Sequence, residues 1–230
     1  MIKVENIDVW GFEHAIRGMR NPMNSWDKSD TKWCGDWDCD PKYECPYRTE
    51  NGCDGSPGEC VIGKNDLDLM RRLYKAGAEH RKYLRQIFVS MDITAPLYLW
   101  SELDTYKIGT TRNSCSKMHK IHSKEIELSD FSFEDYGIDN EGIYIKDCFV
   151  NVVADCEMLR KKYLATKDKK YWKSLIQLLP ESYNQKATLT MNYENVVNII
   201  HQRTGHKLDE WNEFVEILKG LPYIKEITEE

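Results

Sequence analysis

The chain has 230 residues, a formal net charge of −6, 41% hydrophobic residues and 30% charged residues, which suits one substantial folded domain and excludes a disordered composition. The acidic balance argues against broad binding to nucleic acid or to an anionic membrane, both of which call for a basic surface. No run approaches the roughly 20 consecutive apolar residues of a membrane span, and the opening MIKVENIDVW carries charges with no apolar stretch behind them, so no signal peptide is expected.

A cytoplasmic setting follows, with the eight cysteines as thiols or metal ligands rather than disulfides. Residues 2–10 place Val4, Ile7, Val9 and Trp10 in an edge-strand pattern, and 11–20 put Phe12, Ala15, Ile16 and Met19 on one helical face. Asn21-Pro22 ends that helix. Residues 24–63 have no helical or strand period and form an irregular cysteine-rich insertion with Cys34, Cys39, Cys45, Cys53 and Cys60. Such a segment must be held by something other than a core. Zinc on thiolates is one candidate, although the spacing is no clean CxxC pair; free thiols on a surface insertion and a disulfide are the alternatives.

Asn65-Asp66 reads as an N-cap for a helix through Leu67, Leu69, Met70 and Leu73. Ile87 to Ile93 alternates as a strand. It runs into Ala95-Pro96, then an apolar helix with Leu97, Leu99, Trp100 and Leu103, then a polar stretch, Gly109 to Ser116, read as a ligand loop. A long helix is expected over about 142–164, with Cys148 and Cys156 as small buried groups, and a solvated basic face over 160–173. Leu179-Pro180 breaks the chain before a short strand at Ala187, Leu189 and Met191. Asn192 to Arg203 is an amphipathic helix with Asn192 as cap and Gly205 past its end, and Asp209 to Lys219 is the last helix. No repeat or linker divides the chain, so a single domain over 1–230 is expected.

Three segments together resemble flavin-dependent thymidylate synthases, in particular the divergent branch of bacteria and their phages. The first is Glu79-His80, the strand, then Ala95-Pro96. The second lies where the family signature reads RHRxxSxNExSxRY: here Tyr106, Lys107, Ile108, Gly109, Thr110, Thr111, Arg112, Asn113, Ser114, Cys115, Ser116, Lys117, Met118, His119. The third matches LP…T…NxRxxxxFxxxR through Leu179, Pro180, Thr190, Asn192, Asn198 and Arg203. The departures are several: Ser114 stands for the signature's Glu and His119 for its Tyr. The basic RHR triplet keeps only Lys107, Met118 stands for an arginine, and Glu194 stands for another.

The resemblance implies an α/β fold of the α+β type, a central, mostly antiparallel sheet with flanking helices. It implies reductive methylation of a deoxypyrimidine nucleotide, deoxyuridylate, using FAD, methylenetetrahydrofolate and NADPH, in a homotetramer. Carried over residue by residue, it places Ser116 and Arg203 in catalysis. His80, Lys107, Thr111, Asn113, Asn192 and Asn198 would hold the flavin. Arg112, Ser114, Ser116, His119 and Arg203 would hold the nucleotide. Two alternatives remain on the same fold: a nucleotide-binding protein without the chemistry, and a flavoenzyme modifying another pyrimidine.

Overall fold

The computed structural model describes residues 2–33, 48–49, 52–53, 60–134 and 140–228, with backbone alone at 48–49, 52–53 and 140–144. Its strands are β1 (Lys3–Trp10), β2 (Lys32–Trp33), β3 (Arg48–Thr49), β4 (Gly52–Cys53), β5 (Cys60–Val61), β6 (Phe88–Pro96), β7 (Thr110–Ser114) and β8 (Asn184–Asn192). Its helices are α1 (Phe12–Arg20), α2 (Lys64–Lys75), α3 (Leu97–Leu103), α4 (Lys117–Lys120), α5 (Asn140–Thr166), α6 (Lys169–Leu178), α7 (Tyr193–Arg203), α8 (Asp209–Lys219) and α9 (Ile224–Thr228). The main sheet has the order β1-β6-β8-β7, and β2 with β5 and β3 with β4 form two small antiparallel pairs.

Side-chain pairs reveal the sheet register. Ser90 bonds Thr190 at 3.0 Å and Thr188 donates to Asp92 at 2.6 Å. As one residue number rises by two the other falls by two, the signature of antiparallel neighbours. Asn6 with Asp92 and Trp10 with Phe88 keep the same rule between β1 and β6. The expected mixed fold, an antiparallel sheet with flanking helices, is the one observed. In β6 the alternation is complete: Val89, Met91, Ile93 and Ala95 are fully buried while the residues between them are half-exposed.

The chain divides into two compact units. The first comprises Met1–Ile7, Ser90–Thr190 and Arg203–Phe214. One of its cores joins Ile121, Ile126, Phe131, Phe149, Val153, Cys156 and Leu175. Burial pushes the Cys156 thiol up to about 11, which leaves it an inert apolar group; Cys148, expected to be buried too, is exposed. Helices α5 and α6 are separated at Lys167, whose φ is 58°, and Asp168 caps α6 by accepting from the Lys170 amide at 2.9 Å. The basic face expected over 160–173 thus belongs to two helices.

Glu157 anchors this core to the Ile126 segment. It takes both prongs of Arg160, at 2.6 and 2.7 Å, and the Ile126 amide at 3.0 Å. The bonds from Arg160 hold its carboxyl well below the ordinary 4.5, at about 2, against the opposing effect of burial. A depressed folded pKa gives stability that is complete above the unfolded value and disappears as the carboxylate is protonated. Thermal melts should therefore show a loss of stability as pH falls from 4.5 towards about 2. Glu157→Gln should flatten that limb; an unchanged acid limb in the variant would remove Glu157 from the account.

The second unit comprises Asp8–Val89, Met191–Gln202 and Val215–Glu230. Phe12 meets Tyr193 and Tyr223 edge-on at 5.8 and 5.6 Å. Gly11 opens α1 with φ +99°, and a Cβ there would lie 2.1 Å from the Gln86 carbonyl; only glycine permits both the turn and the approach. The N-cap of α2 is Gly63, not Asn65-Asp66. Asp30 supplies the cap from a distance, accepting from the amides of Asn65 at 2.9 Å and Asp66 at 3.2 Å. Asp66 is instead fully buried and bonds Arg20 at 2.6 Å. The described start of the cysteine-rich segment, up to Trp33, is thus held by a polar knot. Cys34, Cys39 and Cys45 lie outside the described residues, as does the Cys53 side chain, and Cys60 is buried. Among the described residues no group of histidines, cysteines or acids is placed to hold a metal, and no described helix is long and apolar enough to cross a membrane.

Candidate functional site

The stretch expected to be a polar loop is largely an edge strand. Thr110 to Ser114 pairs in the sheet, and the next residue continues the pattern: the Cys115 amide donates to Lys186 O at 2.9 Å, and Gln185 Nε2 donates to Cys115 O at 2.6 Å. Two β-branched threonines favour the extended form. The period of two then sorts the candidate residues. Arg112 and Ser114 fall on the half-buried face, while Thr111 and Asn113 point to solvent.

Ser116 closes the strand and caps the short α4, its Oγ accepting from the His119 amide at 3.1 Å. His119 itself is exposed. Behind Arg112 stands Trp100, 2% exposed, whose indole N–H donates to Gln185 O at 2.9 Å. The Arg112 guanidinium lies 4.8 Å over that ring, with Asp104 at 3.3 Å on one side. Its Nη1 is buried and has no hydrogen-bond partner. A buried N–H left unpaired is costly, and an acceptor brought to this guanidinium would relieve that cost.

Two clefts meet at this strand end, both within the first unit. One, of about 340 Å³, is lined by Trp100, Asp104, Arg112, Ser114, Ser116 and Lys117 among others. The second, of about 490 Å³, is bordered by Lys3, Lys117, Lys120, Lys124 and Lys186, with Asp130 as its one carboxylate. Cys115, Ser116, Lys117 and Gln185 line both. An aromatic floor, a guanidinium fork, two hydroxyls and a row of ammonium groups suit a flat ring carrying a phosphate. The lysines follow no single sequence pattern. Only SKMHKIHSK hinted at them, since Lys3 and Lys186 come from distant strands.

The other predicted residues stand elsewhere. Arg203, last in α7, is engaged within the first unit: Nη1 donates to Glu102 at 2.7 Å, Nε donates to the Tyr106 hydroxyl at 3.0 Å, and the guanidinium lies 4.4 Å over Trp211. Trp211 donates to the same Glu102 oxygen at 2.9 Å. Lys107 is exposed, and Ile108 is 90% exposed. His80, Asn192 and Asn198 belong to the second unit. His80 is exposed in a turn. Asn192 caps α7 by accepting from the Asn195 amide at 3.0 Å. Asn198 accepts from Arg81, which also holds the buried Glu194 at 3.0 Å.

The donor set of the lysine-bordered clefts fits a phosphorylated ligand. Of residues 106–108 only one can offer a charge to a phosphate. Tyr106 is tied to Arg203, Ile108 is apolar, and Lys107 alone carries charge.

No protein-family model matches the chain, and no curated protein matches it. Solved structures do. Thymidylate synthase X from Helicobacter pylori, determined with FAD and dUMP, superimposes with a TM-score of 0.64 at 17% identity, over 99% of this chain and 97% of that one. A second structure of the flavin-dependent enzyme from the same organism, also complexed with FAD and dUMP, gives 0.61 at 17% identity, over 99% and 96%. Across nearly its whole length, the chain has the fold of the flavin-dependent thymidylate synthases.

Proposed function

We propose that the chain binds a deoxypyrimidine nucleotide in the Arg112–Ser116 cleft and acts on it as a close relative of flavin-dependent thymidylate synthases. The reaction would be reductive methylation of deoxyuridylate, with FAD as cofactor, methylenetetrahydrofolate as carbon donor and a nicotinamide as reductant. The observation that carries this reading is Arg112, laid on Trp100 with a buried unpaired Nη1, beside Ser114 and Ser116 on a whole-chain fold match. In this arrangement Arg112 and Lys117 hold the phosphate, and Ser114 and Ser116 offer hydroxyls to the ligand. A second reading has its own support. Arg203 donates to both Tyr106 and Glu102 and is thereby engaged within the protein, which favours a nucleotide-binding protein on this fold that has lost the flavin chemistry.

One preparation tests both. Protein incubated with FAD and dUMP, then desalted, should keep a flavin band near ~450 nm and release tritium from C5-labelled deoxyuridylate when methylenetetrahydrofolate and NADPH are added. Colourless protein that still binds dUMP by calorimetry would select the second reading. Absence of any nucleotide binding would sink both.

A further inference from the structure

We infer that the lysine-bordered cleft holds an oligophosphate chain, so that the ligand class of this site is a nucleoside di- or triphosphate rather than a monophosphate alone. The inference rests on the nucleotide reading above and extends it. A monophosphate carries up to about two negative charges at neutral pH. The smaller cleft already offers Arg112 and Lys117 to such a group. The larger cleft continues past the shared residues Cys115, Ser116 and Lys117 and adds Lys3, Lys120, Lys124 and Lys186 against a single carboxylate, Asp130. A single phosphate needs fewer cations than border this cleft, and ammonium groups set side by side repel one another unless anions lie between them.

The ion pairs show which of these charges are available. Lys124 is bonded to Asp130, Lys3 pairs with Glu5 at 2.7 Å, and Lys186 lies 3.3 Å from Asp92. The lysine side chains of these pairs stay 62%, 65% and 45% exposed while their acids are more covered, so each ammonium still faces solvent and a ligand there. Lys117 and Lys120 have no carboxylate partner among the described residues and stand one helical turn apart on α4. Ser123, Ser129, Tyr183 and Asn184 add hydroxyl and amide groups along the walls. The lining is therefore cations plus neutral donors over a length beyond one phosphate. Charge-assisted bonds to successive phosphates use both kinds.

Calorimetry on the full chain with dUMP, dUTP, inorganic phosphate and tripolyphosphate tests this. The wild type should bind dUTP about tenfold or more tighter than dUMP, and tripolyphosphate tighter than phosphate, with the gap narrowing as salt rises. The Lys120→Gln/Lys124→Gln variant, altered at two exposed positions, should collapse the dUTP-to-dUMP ratio towards one while its melting temperature stays at the wild-type value. Equal wild-type affinities for dUMP and dUTP would overturn the inference, as would an undiminished ratio in the variant. Tight binding of tripolyphosphate with no binding of either nucleotide would keep the oligophosphate site and remove the nucleotide reading instead.

Discussion

Asp66→Ala is expected to cost about 3–5 kcal/mol of folding stability, read as a lower urea midpoint, because it strands a buried guanidinium. Arg20 and Asp66 are both almost wholly inaccessible, with side-chain exposures of 4% and 0%. Asp66 accepts from Arg20, Ser29, the Thr31 hydroxyl and the amides of Asp30 and Thr31. Arg20 in turn donates to the carbonyls of Ser25 and Lys28 at 3.1 Å each. Removing the carboxylate thus releases the whole 25–31 turn, and new proteolytic cleavage there should accompany the lower midpoint.

Burial pushes the Asp66 carboxyl up. The bonds from Thr31, Ser29 and Arg20 outweigh burial and hold it below its ordinary 3.8. Its contribution is therefore present above the unfolded pKa and lost as pH falls through the lower folded value. Replacing both partners together, as Arg20→Met with Asp66→Leu, should recover part of the loss, since apolar groups need no partner. An unchanged midpoint in Asp66→Ala would show that the knot is not what holds this segment.

What the sequence disclosed, and what it hid, follows from which forces act locally. β6 was legible because every second residue from Val89 to Ala95 is apolar, and that period survives into the fold. The helix α7 was legible for a similar reason, and its cap at Asn192 acts within four residues. Thr110 to Ser114 gave no such period. An edge strand held by backbone bonds shows one half-exposed face and one exposed face, so its composition resembles a loop. Asp66 looked like a cap because acids favour that place. The cap came from Asp30, which is far away in sequence, and no local pattern records it. The lysine cleft was hidden in the same manner, since its border draws on residues 3, 117–124 and 186. The family signature pointed to Arg112, Ser114 and Ser116, and strand alternation then set Thr111 and Asn113 apart from them.

The other large effect is expected at Trp100, where stability and binding can be separated. Trp100→Ala removes a fully buried indole, which should cost about 3–5 kcal/mol, and leaves the Gln185 carbonyl without its donor. It also takes away the face on which Arg112 rests, an interaction of about 0.5–2 kcal/mol. Trp100→Phe should keep much of the packing and an aromatic face but lose the indole N–H, for about 1 kcal/mol or somewhat more. Denaturant unfolding of both variants gives the stability ranking, with alanine well below phenylalanine. Calorimetry with dUMP on the folded fraction gives the second readout. If Trp100 fixes the Arg112 fork, affinity should fall more than tenfold in the alanine variant, equivalent to about 1.4 kcal/mol, and only slightly in the phenylalanine variant. Wild-type affinity in folded Trp100→Ala would show that binding at the Arg112 fork does not depend on this ring.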